Sequence, residues 1–294
     1  MDAGDLRIFE AVARLGAMSR AAAELNTVQS NVTARIRALE ESLGRRLFDR
    51  HAGGVTPTAA GSRLLPYAGR VARLIADATA AARDDGTPRG TLVIGALETT
   101  TALRLAPLLA GYARAWPEVD LALRPGTTAE LIEAVRGGAL DGAFVCGPVA
   151  DPALEAVSMF REELAVLAAP GTASLEEWIG ARETRIVVLR AGCSYRARLE
   201  AVLARRGILA PRIMEFGTLE AIFACVHAGL GLTLMPRALV GGVCAADRVA
   251  VLRLPPSEAI VETVFLRRRD GFVSSALAAF LDATGRAFAP ARAA

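Results

Sequence analysis

The sequence predicts an α/β chain in two parts, a small helical head closed by a β-hairpin and a larger body in which strands alternate with helices. Three observations predict it. Near the N-terminus apolar side chains recur at helical spacing in three short runs, the last followed by a polar turn between apolar residues. A fourth run, from Thr58 to about Arg83, carries a heptad-like seam. From Thr91 onward short apolar runs suited to buried strands alternate with helical stretches, the order that builds parallel sheets through right-handed crossovers.

At 294 residues the chain fits a small domain joined to a larger one, and its 53% hydrophobic residues are ample for buried cores. The net charge is only +3, and that surplus is local. Between Asn26 and Arg63 stand six arginines (Arg35, Arg37, Arg45, Arg46, Arg50, Arg63) against three acids (Glu40, Glu41, Asp49). A local basic patch is what neutralising phosphates requires. The chain has no Lys at all. Arginine forks suit phosphates, but a bias running the whole length reads more simply as the codon usage of a GC-rich genome.

The start, Met1 to Glu10, has no basic segment leading into an apolar one, so no secretory signal is expected. The longest apolar stretch, Ile222 to Pro236, is broken by His227, Gly229 and Gly231 and is too short to span a bilayer. A soluble, cytoplasmic protein with no membrane partner is the expectation. Cys146, Cys193, Cys225 and Cys244 are widely spaced without a C-x-x-C, which suits a reducing compartment and predicts no metal site; no cofactor is expected either.

In the head, Leu6, Phe9, Val12 and Ala13 give a first helix ending near Gly16. Ser19 reads as the cap of a short helix from Arg20 to Leu25, and Thr27 as the cap of a longer third helix. That helix places Val32, Ile36, Leu39 and Leu43 on one stripe and Gln29, Ser30, Asn31, Thr33, Arg35 and Arg37 on its other faces. Leu47-Phe48 and Val55 flank the turn Arg50 to Gly54 as a small β-wing would. This is the pattern of a winged helix-turn-helix, in which Gln and Asn amides donate and accept at an adenine edge. The competing reading is an ordinary polar helix face.

The fourth helix sets Leu64, Ala68, Val71, Ile75, Ala78 and Ala82 at alternating steps of four and three, a seam that needs a partner, most simply its own copy. Pro66 sits near its start, where proline is less disruptive, and Asp84 to Pro88 reads as a hinge. In the body, Leu92–Ile94, Val119–Leu123, Gly142–Cys146, Leu164–Ala168, Arg185–Leu189, Arg212–Phe216 and Leu232–Met235 read as strands. Helices are expected over Ala102–Arg114, Ala129–Arg136, Ser194–Arg206 and Leu219–Ala228.

These residues carry a resemblance. The series Ala21-Ala22, Leu25, Gln29, Thr33, Ile36, Leu39-Glu40, Leu43-Gly44, Leu47-Phe48, Arg50, then Thr56-Pro57-Thr58 and Gly61, resembles the N-terminal signature of the LysR-type transcriptional regulators. Ala106 to Leu109, Trp116 to Val119, Gly138-x-Leu140-Asp141 and Ala228 to Leu232 are similar to landmarks of the same family, so the resemblance covers essentially the whole chain. One departure stands out: Val28 occupies a place usually held by Ser, and Ser30-Asn31 follows Gln29 where the family usually has Pro. The helix cap and base preference are therefore open to change.

The resemblance implies a DNA-binding transcription regulator governed by a small-molecule effector. Residues 1–58 would form the winged domain, 59–88 the dimerising linker helix and hinge, and 89–294 the effector region, resembling periplasmic binding proteins. Its first subdomain is expected over 91–160 plus 264–294 and its second over 161–263. Gln29, Ser30, Asn31 and Thr33 would face the groove, with Arg35 and Arg50 nearer the phosphates and Thr56 by the wing. The implied partners are double-stranded DNA with an interrupted palindromic operator, a second copy through the linker helix, and commonly a tetramer.

Loop-to-helix junctions at strand ends mark where an effector would sit. Thr99, Thr100 and Thr101 follow the first body strand, and Thr127 and Thr128 the second. Ser194, Tyr195 and Arg196 open a later helix, with Arg196 a candidate countercharge, and Thr218 opens another. Ordinary helix capping competes for each; together they favour an organic anion, a carboxylate above all. An enzyme is disfavoured because no G-x-S-x-G, H-E-x-x-H or P-loop is present, and His227 lies in an apolar helix. A solute-binding protein would lack the head. Redox sensing would draw on Cys225, or on Cys193 with a thiol pKa lowered at its helix start, but no resolving partner is visible.

Overall fold

The computed structural model describes residues 1–181 and 183–288. The chain divides into two compact units, Met1–Asp84 and the remainder from Asp85.

The first unit holds α1 (Ala3–Leu15), α2 (Met18–Glu24), α3 (Gln29–Leu43), the hairpin β1 (Phe48–His51) and β2 (Gly54–Pro57), and α4 (Ala59–Arg83). Asp2 caps α1 and forms a reciprocal capping box with Asp5, while Gly16 in the left-handed region ends the helix. Phe9, Val12, Val32, Ile36, Leu39, Leu47 and Phe48 make a shared core, with the Phe9 and Phe48 rings 5.2 Å apart. The wing is pinned by Glu40, whose Oε1 accepts from the backbone N–H groups of Leu47 at 2.7 Å and Phe48 at 3.2 Å. Thr58 ties the wing to α4: its hydroxyl donates to the Arg46 carbonyl at 2.8 Å and accepts from the Gly61 N–H at 3.1 Å. Gly61 is required by that approach, since a Cβ there would stand 2.2 Å from the Leu47 carbonyl oxygen.

Three local expectations need correction. Helix α2 starts at Met18 behind Ala17, which makes no side-chain cap, so Ser19 is inside the helix. Val28, not Thr27, is the N-cap of α3; the Thr27 hydroxyl instead accepts from the Asn31 amide at 3.0 Å. Leu43 is 39% exposed, so the buried stripe of α3 stops at Leu39. On α4 only Gly61 and Ala68 are buried, and Tyr67, Leu74 and Ile75 stand out in solvent.

The second unit begins with β3 (Gly90–Ala96) and a helical run made of α5 (Glu98–Thr100), a π-turn (Thr101–Leu105) and α6 (Ala106–Ala115). There follow β4 (Val119–Pro125), α7 (Thr128–Arg136), β5 (Gly142–Cys146) and the long β6 (Leu154–Ala168). The rest comprises α8 (Leu175–Ala181), β7 (Arg185–Leu189), α9 (Ser194–Ala204), β8 (Arg212–Phe216), α10 (Leu219–His227), β9 (Thr233–Pro236), β10 (Ala250–Arg253), α11 (Pro256–Ala259), β11 (Ile260–Arg268) and α12 (Ser275–Phe288).

Strands β3, β4 and β5 pair in parallel, as expected from their crossover helices. The sheet is nevertheless mixed. Strand β11 runs antiparallel between β5 and β6, and the C-terminal half of β6 pairs antiparallel with β9 and β10. Helices cannot account for those neighbours because β6 and β11 are crossing strands that enter the second half of the unit and return. Strands β7 and β8 form a separate parallel pair. One core joins Leu131, Val145, Leu164, Val187 and Ile222; another packs Ile94, Phe144, Phe265 and Phe280 under α6 and α12. In the latter the buried Tyr112 hydroxyl donates to the Ala276 carbonyl at 2.7 Å. The returning C-terminal segment is described through α12; the part expected beyond 288 lies outside the described residues.

Gly61→Ala drives a Cβ into backbone, and a loss of about 1–3 kcal/mol is expected for the first unit. Trp116 and Trp178, the only tryptophans, both lie in the second unit, so fluorescence reads that unit alone while circular dichroism reads both. The substitution is expected to shift part of the dichroism transition in urea and leave the fluorescence transition in place. Tyr112→Phe, by contrast, is expected to move the fluorescence transition, through loss of a hydrogen bond of about 0.5–1.5 kcal/mol.

Candidate functional site

Each unit carries its own candidate surface. On the first, Gln29, Ser30 and Asn31 occupy the opening turn of α3 and are exposed, with Thr33 half-buried behind them. The wing displays Arg50 and Thr56, both exposed, on adjacent strands in the register Arg50 to Val55 and Asp49 to Thr56. Arg50 has no ion-pair partner among the described residues. Arg35 behaves differently. Its guanidinium binds the carboxylates of Asp2 at 3.0 Å and Asp5 at 2.7 Å, fastening α3 to the start of α1. A backbone N–H from Asp5, together with this contact, holds the Asp2 carboxyl below its ordinary range. The residues that sequence reasoning set side by side thus divide into an exposed face and an internal tie.

In the second unit a cavity of about 350 Å³ lies where β3, β4 and β7 end and the helices following them begin. Leu97, Pro125, Leu189 and Phe216 supply apolar wall, and Glu98, Thr99, Thr127, Arg190, Ser194 and Tyr195 supply the polar groups. Thr99, Thr127, Ser194 and Tyr195 are therefore brought together as the sequence suggested. Thr99, Thr100 and Tyr195 are buried, and their hydroxyls complete no hydrogen bond. Thr127 caps α7, and its N–H donates to Glu130, the main cause of that carboxyl's lowered pKa.

Other expected residues face elsewhere. The Thr101 hydroxyl donates back to the Leu97 carbonyl at 3.1 Å, a bond within the helical run. Thr128 lines a neighbouring open groove with Cys146, Ser194 and Arg198. Arg196 is turned away from the cavity, its guanidinium on Glu200 at 3.2 Å and Glu215 at 3.0 Å. The base beside the cavity is Arg190, which itself pairs with Glu130 at 3.3 Å. Thr218 caps α10 through the Ala221 N–H and does not reach the wall. The lowered thiol pKa expected for Cys193 is reversed, because burial pushes it up.

Besides Arg190, two groups were missed by sequence reasoning. Glu98 reaches across the cavity and accepts the Leu219 N–H at 3.3 Å, linking β3's helical run to α10. Glu162, 5% exposed on β6, neighbours Tyr195, whose hydroxyl pKa is pushed up by burial first and then by the Glu162 charge. Arg104 Nε approaches Glu162 at 3.7 Å and its guanidinium covers the Phe160 ring. Burial raises the Glu162 carboxyl despite that arginine. Glu162 stands between Arg161 and Glu163 on a partly polar strand, so its burial becomes visible only with the register.

The described residues contain no His, Cys, Asp and Glu cluster suited to a metal ion, and no helix among them is long and apolar enough to cross a membrane.

Comparison with known proteins matches each unit to a family domain. Residues 3–62 match the family model for the bacterial regulatory helix-turn-helix protein of the lysR family, and residues 85–289 match the LysR substrate binding domain. The uncharacterised HTH-type transcriptional regulator YusT of Bacillus subtilis strain 168 is 44% identical over 96% of this chain and 95% of its own. HTH-type regulator CzcR of Bacillus anthracis is 40% identical over 96% of each chain. Full-length CbnR, solved with its target DNA, shares 25% identity at a TM-score of 0.62 over 98% of this chain and 100% of its own. A full-length OxyR variant from Pseudomonas aeruginosa, at 21% identity, has the same fold with a TM-score of 0.70 over 97% of this chain and 95% of its own. The chain therefore belongs to the LysR family, as a DNA-binding transcription regulator that carries an effector-binding domain.

Proposed function

We propose that this regulator reads an interrupted palindromic operator as a homo-oligomer and answers to a small organic carboxylate held in the 350 Å³ cavity. The observation that carries the effector reading is the buried Thr99 hydroxyl, unpartnered in the cavity wall. Leaving a buried hydroxyl unpaired costs free energy that a ligand oxygen offsets. The leading N–H groups of the helical run beginning at Glu98 have no partner one turn back, and they add donors on the same side.

For DNA, Gln29, Ser30 and Asn31 are the base-reading residues in this proposal, with Thr33 at their flank. Arg50 and Thr56 bind the backbone at the wing, and Arg35 acts indirectly by holding α3. The absence of a side-chain cap at Val28 leaves the first N–H groups of α3 free for a phosphate or base. Helix α4 supplies the dimer contact through its exposed Leu74 and Ile75, with a tetramer as the larger assembly and the cytoplasm as the compartment. The proposed division is a winged domain over 1–58, a linker over 59–88 and an effector region over 89–294. Within that region the first subdomain takes 91–160 and 264–294 and the second takes 161–263. Two copies related by a two-fold axis would read two half-sites.

Footprinting on the intergenic DNA beside the regulator's own gene is expected to protect two half-sites. No protection at low salt on that or neighbouring promoters would count against the proposed operator.

Gln29→Ala is expected to weaken the specific site by about 1–3 kcal/mol and to leave random-sequence binding in place. Arg50→Ala should weaken both alike and reduce the salt slope by about one. An equal loss on all sequences for both variants would overturn the assigned roles. Ile75→Asp is expected to lower the mass seen in sedimentation; an unchanged mass would remove this face of α4 from the interface.

A further inference from the structure

The polar groups around the cavity are poorly matched to a plain organic acid. Glu98 faces the cavity directly, and Glu162 lies behind Tyr195. The bases at hand are engaged: Arg190 with Glu130 and Arg104 with Glu162. Arg196 is turned to Glu200 and Glu215. A ligand bearing only negative charge would thus meet the Glu98 carboxylate and no uncommitted arginine in the lining.

Glu162 adds a specific demand. Both its carboxylate oxygens are buried and complete no hydrogen bond, because Arg104 Nε at 3.7 Å stands beyond hydrogen-bonding reach. A carboxylate offers about four acceptor positions, and an unfilled one in a buried site is costly. Tyr195 lines the cavity, and its hydroxyl, equally unpartnered, is buried at the edge of that wall. The group that fits against this pair is a donor with several N–H bonds. Thr99 and the leading N–H groups of its helical run supply donors suited to a carboxylate. Leu97, Pro125, Leu189 and Phe216 then leave an apolar compartment for a side chain.

We infer that the effector is an amino acid with an apolar side chain, its ammonium at the Tyr195 hydroxyl in front of Glu162 and its carboxylate at Thr99. This inference rests on the reading that a carboxylate occupies the cavity, and it names the class of that ligand. The zwitterion satisfies donors and acceptors together and brings no net charge among the acids. Tyr195 is the relay in this arrangement: its hydroxyl accepts from the ammonium while it donates to the carboxylate behind it.

The test is calorimetric titration of the full-length protein with matched pairs that differ only in the amine: valine and 3-methylbutanoate, leucine and 4-methylpentanoate, phenylalanine and 3-phenylpropanoate. At least one amino acid is expected to bind about tenfold or more tightly than its deaminated partner. Glu162→Gln is expected to reduce that preference to about threefold or less by weakening the amino acid alone. Tyr195→Phe, which keeps the ring, should act in the same direction and serves if the first variant folds poorly. Deaminated acids binding as tightly as the amino acids would overturn this inference and leave the carboxylate reading intact. Binding by neither member of any pair, extended to all twenty amino acids and their deaminated forms, would overturn both.

Discussion

Everything in the effector region depends on one strand serving two sheets. The first half of β6 pairs with β11 beside β5, and its second half pairs with β9 and β10 as well as β11. With β11 it makes the crossing that joins the two halves, and a register irregularity between Thr263 and Val264 marks where the pairing shifts. A crossing of this kind is covalently continuous and hydrogen-bonded on both sides. It also brings Glu162 behind the cavity, a position no surface loop could offer. The cost of that carboxylate's burial is carried by the sheet around it, where Leu164, Val166 and Leu167 have no solvent exposure.

In the head, by contrast, order comes from a few polar ties between short elements. Glu40 pins the wing, Thr58 caps α4 while holding the chain before the wing, and Arg35 fastens α3 to α1. Each tie satisfies backbone or charged groups that short helices leave unpaired. Together they fix the direction of α3 and hold its N-terminal turn outward. An exposed Val28 at the cap, 65% accessible, is the opposite of what burial would select.

The head was legible because its periodicity is local. Gly16 and Gly44 end helices at the positions that a left-handed cap requires, and Val32, Ile36 and Leu39 repeat at helical steps. What failed there was chemistry of one residue's reach: Thr27 and Ser19 are good caps in general, yet the chain bends one or two positions away. In the body, the parallel strands β3, β4 and β5 were legible from apolar runs, whereas β11 was not, and the first half of β6 was missed. Both are partly polar crossing strands whose partners lie far off in sequence. Site residues followed the same division. Thr99 and Tyr195 could be found from loop-to-helix junctions, and Glu98 lies in the same junction as Thr99, but Arg190 joins the cavity wall, and Glu162 the neighbourhood of Tyr195, only through tertiary register. Arg196 misled because an arginine at a helix start points wherever its nearest acid stands, and Glu215 on β8 is invisible until β8 packs beside α9.

Gly192 has a genetic consequence as well as a structural one. Its backbone is left-handed at φ 90°, and a Cβ there would stand 2.8 Å from the Thr127 hydroxyl on the opposite wall. The two halves of the effector region meet at that point with no room for a side chain. Any larger residue would act as a wedge, holding the halves apart whether or not the cavity is filled. A regulator jammed in this way would keep its head, but its output would no longer report on ligand. Codon 192 is thus a place where signal-blind alleles should arise, acting through the spacing of the two walls at Thr127.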